Sequence, residues 1–150
     1  MTLVSGLTDH TGFWMRMISN AASQGFARKV AAEGVTVAEW CFMRALYDEP
    51  PTPPSVLADR MGMTKGAISK LADRLLAKGL IEREENSHDR RAHSLSLTGE
   101  GRAKTPILAS LADENDREFF GVLTEDEREM LDQILRILAD RGDLKATPVD

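Results

Sequence analysis

The sequence is poorest in the residues that would staple, anchor or catalyse. A single cysteine, Cys41, excludes an internal disulfide. Aromatic residues make up 5%, so aliphatic side chains must build the core. No stretch approaches the roughly 20 apolar residues that a membrane span needs. The N-terminus, MTLVSGLTDHTGFW, lacks the basic start and apolar run of an export signal. The three histidines, His10, His88 and His93, show no metal-ligand spacing, and Cys41 has no histidine neighbour. There is no G-x-S-x-G, phosphate loop or dinucleotide fingerprint. These absences predict a cytoplasmic protein with no membrane contact, no metal, no cofactor and no enzymatic activity.

What is present fits one domain of 150 residues, large enough to bury a core unaided. Hydrophobic residues at 42% and charged residues at 29% are ordinary for a folded chain. The net charge of −5 argues at first against a polyanionic partner, but its distribution does not. Residues 60–104 hold ten Lys or Arg against six acids, while the rest of the chain holds nine against eighteen. A basic middle inside an acidic frame suits local contact with phosphate.

Periodicity predicts a chain of helices around one hairpin. Phe13, Met17, Ile18, Ala21, Ala22 and Phe26 give residues 13–32 a wide apolar stripe, with Gly34 as terminator. Thr36 and Glu39 form a capping-box pattern that opens a helix over 37–47. Four prolines between 50 and 54 break the chain before a short helix over 55–61. A turn at 62–64 leads to a strong helix over 65–78, N-capped by Thr64, with Ile68, Leu71, Ala72, Leu75 and Leu76 inward. Gly79 stops it. Short strands over 80–84 and 93–97 flank a polar loop at 85–92. A long helix follows residues 98–101 and runs to about 120, with Pro106 kinking it or sitting in its first turns. Thr124 and Glu127 form a second capping box, opening a helix over 125–141. The tail from 145 should fray. The apolar faces of the terminal helices are too extensive for a lone small chain and predict pairing with a second copy.

Residues 55–79 give a short helix, a glycine turn and a longer amphipathic helix, which is a helix-turn-helix arrangement. The major groove, about 12 Å wide, admits one such helix. Its outward residues Lys65, Gly66, Ser69, Lys70 and Arg74, with Thr64 at its start, are the candidate contacts to duplex DNA. Small side chains at Gly66 and Ala67 allow close approach. The loop at 85–92 then offers Asp89, Arg90 and Arg91 at the tip of a hairpin, suited to a narrow, negative minor groove. A helical module that only dimerises would explain the terminal helices but leave this basic wing without a purpose.

Residues 89–101, DRRAHSLSLTGEG, resemble the D-x-R-x-x-x-L-x-L-T-x-x-G signature of the MarR (multiple antibiotic resistance regulator) family, and the preceding LADRMGMTKGAISKLADRLLAKGLIER resembles its helix-turn-helix and first wing strand. The resemblance implies a mainly α fold with a small β-hairpin. A winged helix-turn-helix core at about 37–98 would sit between dimerisation helices at about 8–33 and 99–142. It implies a homodimeric DNA-binding transcriptional regulator, a repressor, on a pseudo-palindromic duplex site. Arg91 would reach the minor groove, Asp89 would hold the wing, and Arg90 would add a phosphate contact. It further implies a small aromatic or anionic effector between dimer helices and DNA-binding lobe, with His10, Trp14, Arg16, Trp40 and Arg44 as candidates. The relatives that sense oxidants carry a cysteine near the start of the first long helix. Cys41 lies on the second, and its apolar neighbours predict an inert thiol.

Overall fold

The computed structural model describes residues 3–86 and 89–149, with backbone alone at 86 and 89–92. Among these residues the order is α1 (Thr11–Ala31), α2 (Val37–Tyr47), α3 (Pro54–Met61), α4 (Lys65–Ala77), β1 (Ile81–Asn86), β2 (Asp89–Leu97), α5 (Gly99–Phe120) and α6 (Glu125–Arg141). A 3₁₀ turn, Leu7–Asp9, precedes α1 and was not expected. The fold is mainly helical with a β-hairpin wing, and its N- and C-terminal helices touch each other.

Local chemistry sets most boundaries. Thr36 Oγ1 accepts from the Glu39 amide and Glu39 Oε1 from the Thr36 amide, so the first capping box forms as expected. The Thr124–Glu127 box forms in the same way. Thr64 Oγ1 accepts from the Ala67 amide and caps α4. Gly62 ends α3 at φ +62°, a left-handed conformation that costs glycine nothing. Gly34 and Gly79 end α1 and α4 at similar positive φ.

The core lies around α2, which packs on α1, α4, α5 and β2. Phe42, Met43 and Leu46 from α2 meet Val30, Leu57, Ile68, Leu75, Leu95 and Leu108, all buried. Leu95 and Leu97 of β2 face inward with Ile81 of β1. Thr52 exchanges two backbone hydrogen bonds with Leu95, at 2.9 and 2.8 Å, and so adds a third short edge to the hairpin. The surrounding prolines hid this edge in the sequence.

Four expectations need correction. The wing strands are longer than the alternation of apolar residues indicated, with Glu84 opposite Ser94, Glu85 opposite His93 and Asn86 opposite Asp89. Polar residues pair there because a hairpin's backbone groups seek partners whatever the side chains. The backbone of Arg90 and Arg91 therefore belongs to β2, while their side chains and that of Asp89 lie outside the described residues. Helix α5 begins at Gly99, because Thr98 Oγ1 accepts the Gly101 amide and acts as N-cap. Pro106, the eighth residue of α5, sits within the helix's first turns, one of the two expected places. The tail expected to fray is docked at Thr147, whose amide donates to the Met61 carbonyl at 2.9 Å, satisfying an end group of α3. Of the inward residues assigned to α4, Leu76 is only half-buried.

Candidate nucleic-acid interface

Helix α4 divides cleanly into two faces. Ile68, Leu71, Ala72 and Leu75 are buried. Thr64, Lys65, Gly66, Ser69, Lys70, Asp73 and Arg74 are exposed. The core pulls one stripe inward, and the 3.6-residue period projects the other. Among the described residues no acid forms an ion pair with Lys65, Lys70 or Arg74. A Cβ on Gly66 would meet nothing within 4 Å, which leaves open space on this face. Free amides in the first turn of α4 add positive potential beside Lys65. Donors of this kind can bond to guanine acceptors, to phosphates or to either, and Asp73 can accept from cytosine.

The wing follows directly. The Leu80 carbonyl at its root accepts the Thr98 amide at 3.1 Å, and Thr98 Oγ1 donates to the Gly79 carbonyl at 2.7 Å. The end of α4, the wing root and the start of α5 are thus tied together, and the wing's direction is coupled to that of α4.

A family model described as MarR family matches residues 33–92, the helix-turn-helix and most of the wing. A protein of Thauera aromatica, provisionally described as a transcriptional regulatory protein for the hcr operon, is 30% identical over 138 residues, or 91% of this chain and 83% of that protein. The chain belongs to the MarR family. As a MarR-family protein it is a DNA-binding transcriptional regulator, and the family is not enzymatic. Among solved structures, a MepR–DNA complex from Staphylococcus aureus matches with a TM-score of 0.78 at 23% identity, covering 88% of this chain and 98% of that one. PcaV from Streptomyces coelicolor, solved with its natural ligand, matches with 0.78 at 24% identity, covering 94% and 99%. At these identities the likeness concerns the fold.

Within this MarR fold the signature residues have physical reasons. Leu95 and Leu97 are the buried side of β2, Thr98 is the N-cap of α5, and Gly101 lies against Leu80. The five effector candidates do not share one cavity within the chain. His10 is the exposed N-cap residue of α1, and Arg16 is exposed. Trp14 donates from its indole to the Thr8 carbonyl and lines an apolar groove of about 670 Å³ with Ile18, Phe119, Phe120, Leu131 and Leu135. Trp40 packs edge-on against Phe26, with ring centroids 6.4 Å apart. Arg44 pairs with Asp48 at 2.8 Å and borders a separate crevice of about 300 Å³ between α2 and α5, with Tyr47, Thr105 and Ser110. Tyr47 is flanked by the guanidinium groups of Arg44 and Arg102, at 5.7 and 5.9 Å. Sequence reading missed Tyr47 and Arg102, because only the α2–α5 packing brings them together. Burial pushes the Cys41 thiol up, so it stays protonated at neutral pH. Among the described residues no helix is long and apolar enough to cross a membrane, and no three metal-ligating side chains gather.

Proposed function

We propose that this MarR-family chain is a cytoplasmic repressor that binds a pseudo-palindromic duplex as a homodimer, with α4 in the major groove and the wing arginines in the minor groove. The observation that carries this reading is the exposed basic face of α4, with Lys65, Lys70 and Arg74 projecting from it and Thr64 capping the helix start. Lys65, Ser69 and Lys70 are the base-reading candidates, Thr64 and Arg74 the phosphate candidates, and Gly66 the point of close approach. Arg91 would enter the minor groove, with Asp89 and Arg90 in the roles the family resemblance gives them.

The second copy is favoured by the unpartnered apolar faces. Trp14, Met15 and Ile18 on α1 and Met130, Ile134, Leu135 and Leu138 on α6 are exposed, far more than a small monomer tolerates in one region. Two-fold pairing through these helices would set the recognition helices about 34 Å apart, one turn of DNA. The crevice beside Arg44 supports a small anionic or aromatic effector, since PcaV shares the fold and was solved with a ligand. Such a ligand would act by favouring one spacing of the two α4 helices over another.

The decisive experiment is fluorescence anisotropy on the duplex upstream of the chain's own gene across a salt series. A phosphate-contacting dimer loses affinity steeply and linearly in log salt. A salt-independent or absent signal overturns the reading.

A further inference from the structure

The loop after α1 is held by two lysines outside the surface just described. Lys78, the C-cap of α4, donates through Nζ to the Gly34 carbonyl and to Glu39 Oε1, each at 2.8 Å. Lys104, on α5, donates to the Glu33 carbonyl at 2.8 Å. Glu39 Oε1 also receives the Thr36 amide. Helices α1, α2, α4 and α5 therefore meet at residues 33–39.

This joint is costly. Glu39 is fully buried, and its second oxygen, Oε2, has no partner among the described residues. A buried carboxylate with an orphan oxygen, paired to a lysine that stays partly exposed, is a poor source of stability, since well-packed apolar residues serve better. What it supplies instead is direction. The remainder of α4 is held by Ile68, Leu71, Ala72 and Leu75, and apolar contact is non-directional. Such packing tolerates a small roll or slide of the helix. Two charge-assisted hydrogen bonds from its C-cap residue, to acceptors fixed on the loop and on α2, resist such a shift.

We propose that the Glu39–Lys78–Gly34 joint fixes the orientation of α4, making Glu39 and Lys78 positioning residues for sequence discrimination, not DNA contacts. The proposal rests on the regulator reading above. Base-edge hydrogen bonds demand placement to about 0.5 Å, whereas a surface lysine with no fixed partner reaches phosphates from many positions; Lys78 differs in being held by two acceptors, one of them fully buried. A loosened joint therefore removes discrimination and spares non-specific binding. Because Lys104 holds the same loop, the joint also connects α5 to the recognition helix.

The test is the double variant Glu39→Gln, Lys78→Met. Glutamine retains the capping box, methionine retains most of the lysine stem, and the net charge is unchanged. A duplex selected by the wild-type protein from a random library is compared with unselected duplex of equal length. The expected result is a melting temperature within a few degrees of wild type and at least about a tenfold loss of preference for the selected duplex. Affinity for unselected duplex and its salt slope should not change. Retained preference in the folded variant overturns the proposal. So does a reduced salt slope, which would make Lys78 a phosphate contact. Should the double variant not fold, Glu39→Asp draws the carboxylate back from Lys78 at constant charge; a loss of preference supports the joint and full preference overturns it. If the wild-type protein enriches no duplex at all, the regulator reading fails, and this proposal fails with it.

Discussion

A Cβ on Gly101 would overlap the carbonyl oxygen of Leu80. The first turn of α5 thus runs against the backbone at the wing root, and the contact is closed to any side chain. Gly101→Ala must push the wing root and α5 apart. The expected cost is about 1–3 kcal/mol, the range for overpacking a tight site. Urea denaturation measures it, and an unchanged midpoint would show that the contact yields freely.

Gly66 poses the opposite case. Its Cβ would meet nothing, its φ is helical, and it lies in the first turn of α4. The fold gains nothing from glycine there, and alanine should stabilise the protein by about 0.5–1 kcal/mol. If the open space is for DNA, the same methyl should weaken specific binding by about 1–3 kcal/mol, comparable to one mismatched base pair. Paired thermal melts and binding titrations read the two signs. A rise in both stability and affinity would remove Gly66 from the interface.

These two glycines also show what sequence could and could not reveal. The capping boxes at Thr36 and Thr124, the stops at Gly34 and Gly79, and the inward stripe of α4 were legible because each is written within one or two helical turns. So was the exposed face of Lys65, Ser69 and Lys70, which follows once Ile68 and Leu75 point inward. The edge formed by Thr52, the docking of the tail on Met61 and the meeting of Lys78 with Glu39 were not, since each joins residues far apart in the chain. Trp14 and Arg44 carry the residue types expected of an effector site, but packing places them beside separate cavities.

The charges on α4 and the wing should separate by role. Replacing a phosphate-contacting lysine by alanine lowers the salt slope by about 0.9 per contact and weakens all sequences alike. Replacing a base-reading side chain shifts sequence preference and leaves the slope nearly intact. Lys65→Ala and Ser69→Ala are expected to alter preference, and Arg91→Ala to weaken binding. Undiminished binding by a variant lacking Lys65, Lys70 and Arg91 together would contradict the assigned surface.

Pairing through α1 and α6, as proposed, would make stability depend on concentration. The wild-type melting temperature should rise with protein concentration, as for any folded state stabilised by association. Ile18→Glu or Leu135→Glu places a charge on the exposed apolar face and should yield a monomer by analytical ultracentrifugation. Either variant sedimenting as a dimer would move the interface elsewhere.

Acid titration tests the Glu39–Lys78 pair directly, because two opposed effects act on Glu39. Burial alone would push its carboxyl up, but the hydrogen bond from Lys78, with those from Thr36, prevails and holds it below the usual carboxylate value. A carboxylate depressed on folding contributes stability at and above the ordinary glutamate range, near pH 4.3, and loses it as pH falls toward the depressed value. Glu127 is depressed as well, by the Thr124 cap, but it is present in both proteins compared and cancels. The stability difference between wild type and Glu39→Gln should therefore be constant from pH 8 to about 5. Below that it should shift against wild type as the carboxylate takes up its proton. Denaturant titrations at half-unit pH steps measure this difference. A shift in favour of wild type on acidification would mean that burial outweighs Lys78, and that Glu39 is the strained partner of the joint.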